Sequence, residues 1–224
     1  MLIEVIGDYL PAAIAVALSP IPIVAVILVL GTPRARANGS MFAIGWVAGL
    51  LVVSVVILSV LGVTTESADD TATAADWLKV AIGVVFWVMA VRQWRGRPRE
   101  GQETATPAWM ARLDTLAPAK ALGLGAVLSG ANPKNLALTM AAAASIAAAG
   151  LDDAETAAAV AVFVAIGSIT VAGSVGYYLI APERAAGHLA TLERFMLAHS
   201  AVIMMVLLLV LGAKLLGDGL AGLT

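Results

Sequence analysis

The chain has 224 residues, of which 61% are hydrophobic and 12% charged, and its formal net charge is -2. A soluble domain carries about 25% charged residues, so this composition excludes an ordinary globular fold in water. The absence of cysteine excludes disulfides, thiolate metal sites and cysteine catalysis.

Charge-free runs recur at residues 12–30, 41–63, 80–91, 121–133, 156–181 and 200–213. A helix needs roughly 20 apolar residues to cross a bilayer, and the shorter runs reach that length with their flanks. The chain therefore reads as an all-α polytopic membrane protein. Its leader, "MLIEVIGDYLP", holds Glu4 and Asp8 but no lysine or arginine. Signal peptides open with positive charge, so this N-terminus is expected to be retained. Spans are expected near 9–30, 40–62, 76–94, 118–147, 155–181 and 196–217.

The connections sort by charge. Residues 31–40 hold Arg34 and Arg36 without an acid, whereas residues 64–76 hold Glu66, Asp69, Asp70 and Asp76 without a base. The third connection carries Arg92, Arg95, Arg97, Arg99 and Arg112, and the fourth Asp152, Asp153 and Glu155. In the fifth, Arg184 and Arg194 are balanced by Glu183 and Glu193. Basic residues stay on the cytoplasmic side. Loops 31–40, 95–117 and 182–195 are therefore expected in the cytoplasm, with both termini outside a cell membrane. Lys79 and Lys214 depart from the pattern and can snorkel from outer helix ends. The arginines of the third loop read as a topology-setting linker, not as a nucleic-acid site.

That linker divides the chain into a first three-helix repeat (1–94), a basic segment (95–117) and a second three-helix repeat (118–224). "AVALSPIPI" (15–23) in the first span matches "GAVLSGANPKN" (125–135) in the fourth. Each runs small-Leu-Ser and then breaks, at Pro20 and Pro22 in one and at Gly130 and Pro133 in the other. "FAIGWVAG" and "FVAIGSITVAG" recur in the same order. Three spans per half inserts the second half upside down. Interrupted helices at matching positions of inverted repeats mark a midplane site in many transporters. Unwound backbone at that depth needs protein or a wet cavity to satisfy it. For the first span alone, a proline kink absorbed by its neighbours is the competing reading.

Lys134 lies more than ten residues from either end of its apolar stretch. Burying it costs about 2.5–3.5 kcal/mol on insertion scales. With no carboxylate at matching depth, its expected partners are carbonyls freed by the breaks, Asn132 or Asn135, water, or an anionic substrate. Substrate or proton coupling competes with a role confined to pinning carbonyls. Ser19, Pro20, Pro22, Ser129, Gly130, Asn132, Pro133, Lys134 and Asn135 are the candidate translocation residues. Gly45 and Gly49 suggest helix packing or a dimer seam, "AAAASIAAAG" (141–150) a close-packing face, and His199 a structural histidine.

Six spans, a proline motif in the first helix of each half and "NPKN" (132–135) resemble the LysE superfamily of exporters, closest to the actinobacterial glycolipid-addressing (GAP/Sap-like) group. The resemblance covers nearly the whole chain. It implies export across the cytoplasmic membrane and help in moving envelope glycolipids, with Ser19, Pro20, Pro22, Asn132, Pro133 and Lys134 as central motif residues. Amino-acid exporters of that superfamily commonly carry a "PGP"-type motif. Ile21 stands at its middle position here, which disfavours close approach of a small zwitterion.

The leading expectation is a transporter of an amphipathic substrate. The alternatives are an exporter of a small amino-acid-like solute and a non-transporting accessory subunit of a lipid-export machine. Enzymatic function is not expected, because no histidine or carboxylate stands at the depth of Ser19 or Ser129 to act as a base. No cofactor and no metal is expected, nor a nucleic-acid partner. Membrane lipids, a homodimer and envelope-lipid export machinery are the partners considered.

Overall fold

A computed structural model describes residues 1–63, 68–96 and 116–223. The described residues are helical and contain no strand. In chain order the helices are α1 (Leu2–Ala17), α2 (Pro20–Leu30), α3 (Ala35–Val63), α4 (Ala68–Arg95), α5 (Pro118–Ala126), α6 (Pro133–Ala148), α7 (Asp153–Ile180) and α8 (Pro182–Gly222), with a π-helical turn, Val127–Ala131, between α5 and α6. Arg97, Arg99 and Arg112 of the expected linker, and residues 64–67 of the acidic connection, lie outside the described residues.

Four helices are long and apolar enough to cross a membrane, over Ala35–Leu61, Asp76–Arg95, Asp153–Ile180 and Pro182–Gly222, and the pair α1–α2, bent by 46°, makes a fifth if counted as one span. The chain is a multi-pass helical membrane protein. The segment expected as a broken fourth span, 118–147, consists of α5, the π-turn and α6.

Two expected loops are corrected. Residues 182–195 are not a loop, because α7 ends at Ile180 and α8 starts at Pro182. Glu183, Arg184 and Arg194 are exposed and Glu193 is half-buried, while Ala185 and Leu189 are buried one turn apart. The connection 31–40 shrinks likewise, since α3 begins at Ala35. Neither Lys79 nor Lys214 stands alone: Lys79 pairs with Asp76 at 2.9 Å and Lys214 with Asp218, each about one turn away on its own helix.

Proline sets the helix starts. Pro20, Pro118, Pro133 and Pro182 each open a helix at its first turn, where a missing N–H costs no intrahelical bond and the fixed φ is already helical. Pro22 also falls in the first turn of α2. At membrane depth the two prolines remove two donors that would otherwise need partners.

Lipid tails are as apolar as leucine, so helix association here rests on close packing and interhelical hydrogen bonds. α3 packs along α5, the π-turn and α6; α1 packs along α7; and α4 packs on α8. The α3–α5 contact depends on glycine. A Cβ on Gly45 would collide with the Leu122 backbone, one on Gly125 with the Phe42 carbonyl, and one on Gly49 with the Ser129 hydroxyl. Gly45 and Gly49 therefore serve packing inside the chain, and this seam leaves neither free for a dimer contact. The alanines Ala141 to Ala144 of α6 are buried, as a close-packing face requires. Between α1 and α7, the Tyr9 hydroxyl donates to the Ala159 carbonyl at 2.8 Å and its ring meets Phe163 edge-on.

Candidate functional site

The first break lies between α1 and α2. Ser19 is the N-cap of α2 in extended conformation (φ -67°, ψ 113°), and its N–H turns to the Val16 carbonyl at 3.2 Å. Side chains from the second half meet the carbonyls around it. Lys134 Nζ donates to the Ala15 carbonyl at 2.6 Å, and Thr170 Oγ1 donates to the Ala17 carbonyl at 2.5 Å.

The second break has the same local form. Asn132 is the N-cap of α6 (φ -70°, ψ 120°), followed by Pro133 at the first helical position. The Asn132 side chain accepts from the Lys134 N–H at 3.1 Å. The Leu128 carbonyl, in the π-turn, accepts from Asn135 Nδ2 at 3.1 Å. By geometry, then, Ser19–Pro20 corresponds to Asn132–Pro133, whereas the sequence match aligns Ser19 with Ser129.

One lysine joins the two breaks. Besides Ala15, Lys134 Nζ donates to Ser19 Oγ at 2.5 Å. The Ser19 hydroxyl in turn donates to Asn135 Oδ1 at 3.1 Å. Ser19 and Lys134 are each 3% exposed and Asn135 is fully buried. The bonds run in one sense, from lysine to serine to asparagine oxygen, while the asparagine amide is fixed by the Leu128 carbonyl. No carboxylate pairs with Lys134 among the described residues. Its ammonium is met by a carbonyl and a hydroxyl only, at the meeting point of the N-terminal ends of α2 and α6. Helix N-termini carry partial positive charge, so the two helix starts add to the positive character of this place.

Of the sequence candidates, Ser19, Lys134 and Asn135 come together directly, Asn132 caps their helix, and Pro20 and Pro22 are buried beside them. Ser129, Gly130 and Pro133 do not join the cluster. Ser129 bonds its own Ala126 carbonyl at 3.1 Å, Gly130 faces Val53 and Gly49 of α3, and Pro133 is exposed. His199 is exposed and stacks on Phe195 with ring centroids 4.5 Å apart. Among the described residues no group of three or more histidine and carboxylate side chains is arranged to hold a metal.

Thr170 is the participant that sequence reasoning misses. It sits in "GSITVAG" with nothing local to distinguish it from a threonine bonding its own helix, and only the approach of α1 gives it a partner. Thr170→Val is expected to leave the Ala17 carbonyl bare and to cost about 1–3 kcal/mol, read as a lower unfolding midpoint in detergent. Thr170→Ser is expected to restore it.

Two helix breaks tied by a buried lysine within a multi-pass helical chain define a membrane protein with a polar centre, built on interrupted helices. The sequence matches the family described as Sap, sulfolipid-1-addressing protein, over residues 9–221, and the chain belongs to that family. No curated protein and no solved structure matches it.

Proposed function

We propose that the chain is a cytoplasmic-membrane transporter that moves an amphipathic envelope lipid carrying an anionic group, with the paired breaks as its central site. The observation that carries this reading is the bonding of Lys134. An ammonium has three N–H donors, and the described residues accept two of them. The third is left for an anionic oxygen, and two helix N-termini favour negative charge at the same point. The family's printed description, a sulfolipid-addressing protein, fits a role in handling envelope glycolipids.

In this reading the chain makes six passes. The segment Pro118–Ala148 spans 31 residues and runs beside α3 in the same direction, as α1 and α2 together run beside α7. The packing supports two inverted repeats of three spans. Exchanging the halves turns the α3–α5 contact into α7–α1 and the α2–α8 contact into α6–α4, while α4–α8 and α3–α7 map onto themselves. Such an arrangement fits the plan of the LysE-type exporters. Exposed Trp77 and Trp94 stand 17 residues apart on α4, about 25 Å along a helix, as interfacial anchors would. Arg34, Arg36, Arg92, Arg95, Lys120, Arg184 and Arg194 gather at the end where α3, α5 and α8 begin, which favours a cytoplasmic placement of that end.

Ser19 against Lys134 resembles the nucleophile and base of a serine–lysine hydrolase. The hydrogen bonds favour a different role. Lysine donates to the hydroxyl, whose own proton is committed to Asn135 Oδ1. We read the pair as a binding element and the chain as non-enzymatic.

The test is a lipid profile of cell surface and whole cell in a strain lacking this gene. One glycolipid is expected to be synthesised but retained, with the native chain restoring display and a Pro20→Ala/Pro22→Ala double variant failing to do so at equal abundance. Normal placement of every lipid would remove the glycolipid assignment and bring small-solute export forward. Full complementation by the double variant would remove the central site.

A further inference from the structure

The two breaks are built alike but held differently. Among the described residues, the side-chain bonds to main chain at the second break stay within residues 126–135. Ser129 donates to the Ala126 carbonyl, Asn135 Nδ2 to the Leu128 carbonyl, and the Lys134 N–H to Asn132 Oδ1. At the first break the side-chain donors come from the other half. Lys134 holds the Ala15 carbonyl and Ser19, and Thr170 holds the Ala17 carbonyl.

Packing repeats the contrast. Gly45 of α3 and Gly167 of α7 hold matching places in "AIGW" and "AIGS". Gly45 lies against the Leu122 backbone of α5, and Gly49 and Gly125 add main-chain contacts to the same seam. Gly167 meets α1 at the Val16 side chain instead. Main chain against main chain leaves no rotamer to adjust, whereas side chains repack as a helix swings. The joint between α1 and α2 also suits bending. Pro20 and Pro22 carry no N–H for the Val16 and Leu18 carbonyls, so two bonds that would stiffen a continuous helix are absent from the start. The two helices already meet at 46°. Lastly, α1 packs on α6 in the outer half of the bundle, while the pair that answers to it in the cytoplasmic half, α5 with α2, makes hardly any contact. Carriers built on inverted repeats alternate by moving one element against the rest around a fixed site.

We propose that α1 is the moving gate of the carrier, hinged at Leu18–Ser19, and that the second break with α5 is its fixed wall. In this structure the gate is shut on the outer side. Opening swings α1 off α6 and α7, and the Ala15 and Ala17 carbonyls pass from Lys134 and Thr170 to water, as unwound backbone at that depth requires. This inference rests on the reading of the breaks as a carrier's central site and assigns the motion to one of them.

The absence of cysteine lets each element be locked by a disulfide in the full chain. A Cβ at Gly167 would stand 3.6 Å from Val16 Cβ, within the range of about 3.5–4.5 Å that a disulfide needs. Val16→Cys/Gly167→Cys therefore ties α1 to α7. A Cβ at Gly130 would stand 3.0 Å from Val53 Cγ2, so Val53→Cys/Gly130→Cys ties the π-turn to α3 as the matched lock. In the native chain in nanodiscs, amide hydrogen exchange across Ala12–Ala17 is expected to run about tenfold faster than across Ala121–Ala126, the last turns of α1 and α5. Oxidising the first pair is expected to remove that difference. In cells lacking the native gene, the same oxidation is expected to stop new lipid reaching the surface until reductant is added, while oxidising the second pair changes nothing. Equal or slower exchange in α1, display that survives the first lock, or display lost on the second would each overturn the proposal. Exchange is measured without transport, which separates the two failures. Normal lipid placement without the gene removes the carrier, and equal exchange removes the gate alone.

Discussion

Lys134→Met is expected to accumulate in the membrane at close to the native level yet fail to restore surface display of the lipid. Two opposed terms make this outcome specific. Removing the charge recovers about 2.5–3.5 kcal/mol of insertion cost. It also strands the Ala15 carbonyl and leaves Ser19 Oγ without its donor, at about 1–3 kcal/mol for each buried group. The terms nearly cancel, so the variant folds, and what it lacks is the positive donor offered to the substrate. Lys134→Glu has no such balance. It turns a carboxylate toward the Ala15 carbonyl oxygen at the same depth and is expected not to accumulate at all. Quantitative immunoblotting beside the surface lipid profile checks both. Full display by an abundant Lys134→Met chain would mean that the substrate needs no donor from the lysine.

The second large effect is steric. Gly125→Ala places a methyl group against the Phe42 carbonyl and the Trp46 backbone nitrogen, where rigid backbone leaves no side chain to yield. A cost of about 1–3 kcal/mol is expected from such overpacking, together with a clear fall in the unfolding midpoint in detergent. Gly123→Ala is the matched control. It lies two residues away on the same helix with nothing within 4 Å of the added carbon, and it trades glycine for the best helix former. It is expected to be neutral or to gain up to about 1 kcal/mol. Equal behaviour of the two would show that α3 and α5 do not approach as closely as described.

Much of this architecture is written in local chemistry. Charge-free runs reveal the apolar segments because a lipid-facing helix has no other composition open to it. Pro20 and Pro133 reveal the breaks because proline cannot continue a helix in from the preceding turn. Lys134 stands out through its cost. The remainder depends on three-dimensional approach. That Asn132, and not Ser129, is the counterpart of Ser19 follows from helix capping, which the similarity between the two Leu-Ser pairs conceals. The start of α8 reads as a loop because its charges mimic one, although they lie on the wet side of a helix that buries Ala185 and Leu189. Thr170 and the Ala17 carbonyl come from segments far apart in the chain, and no spacing rule joins them.

Three of the ties that close the two breaks share one asymmetry. Each donor is a side chain, namely Lys134, Thr170 or Asn135, whereas the acceptors at Ala15, Ala17 and Leu128 are main-chain oxygens. Evolution can edit only one partner of each pair. A change of residue at an acceptor position alters bulk but keeps the oxygen, so drift there passes unseen by the bond. The donors bear the whole burden of inheritance, and each of these bonds is encoded by one letter where a pair of side chains would need two.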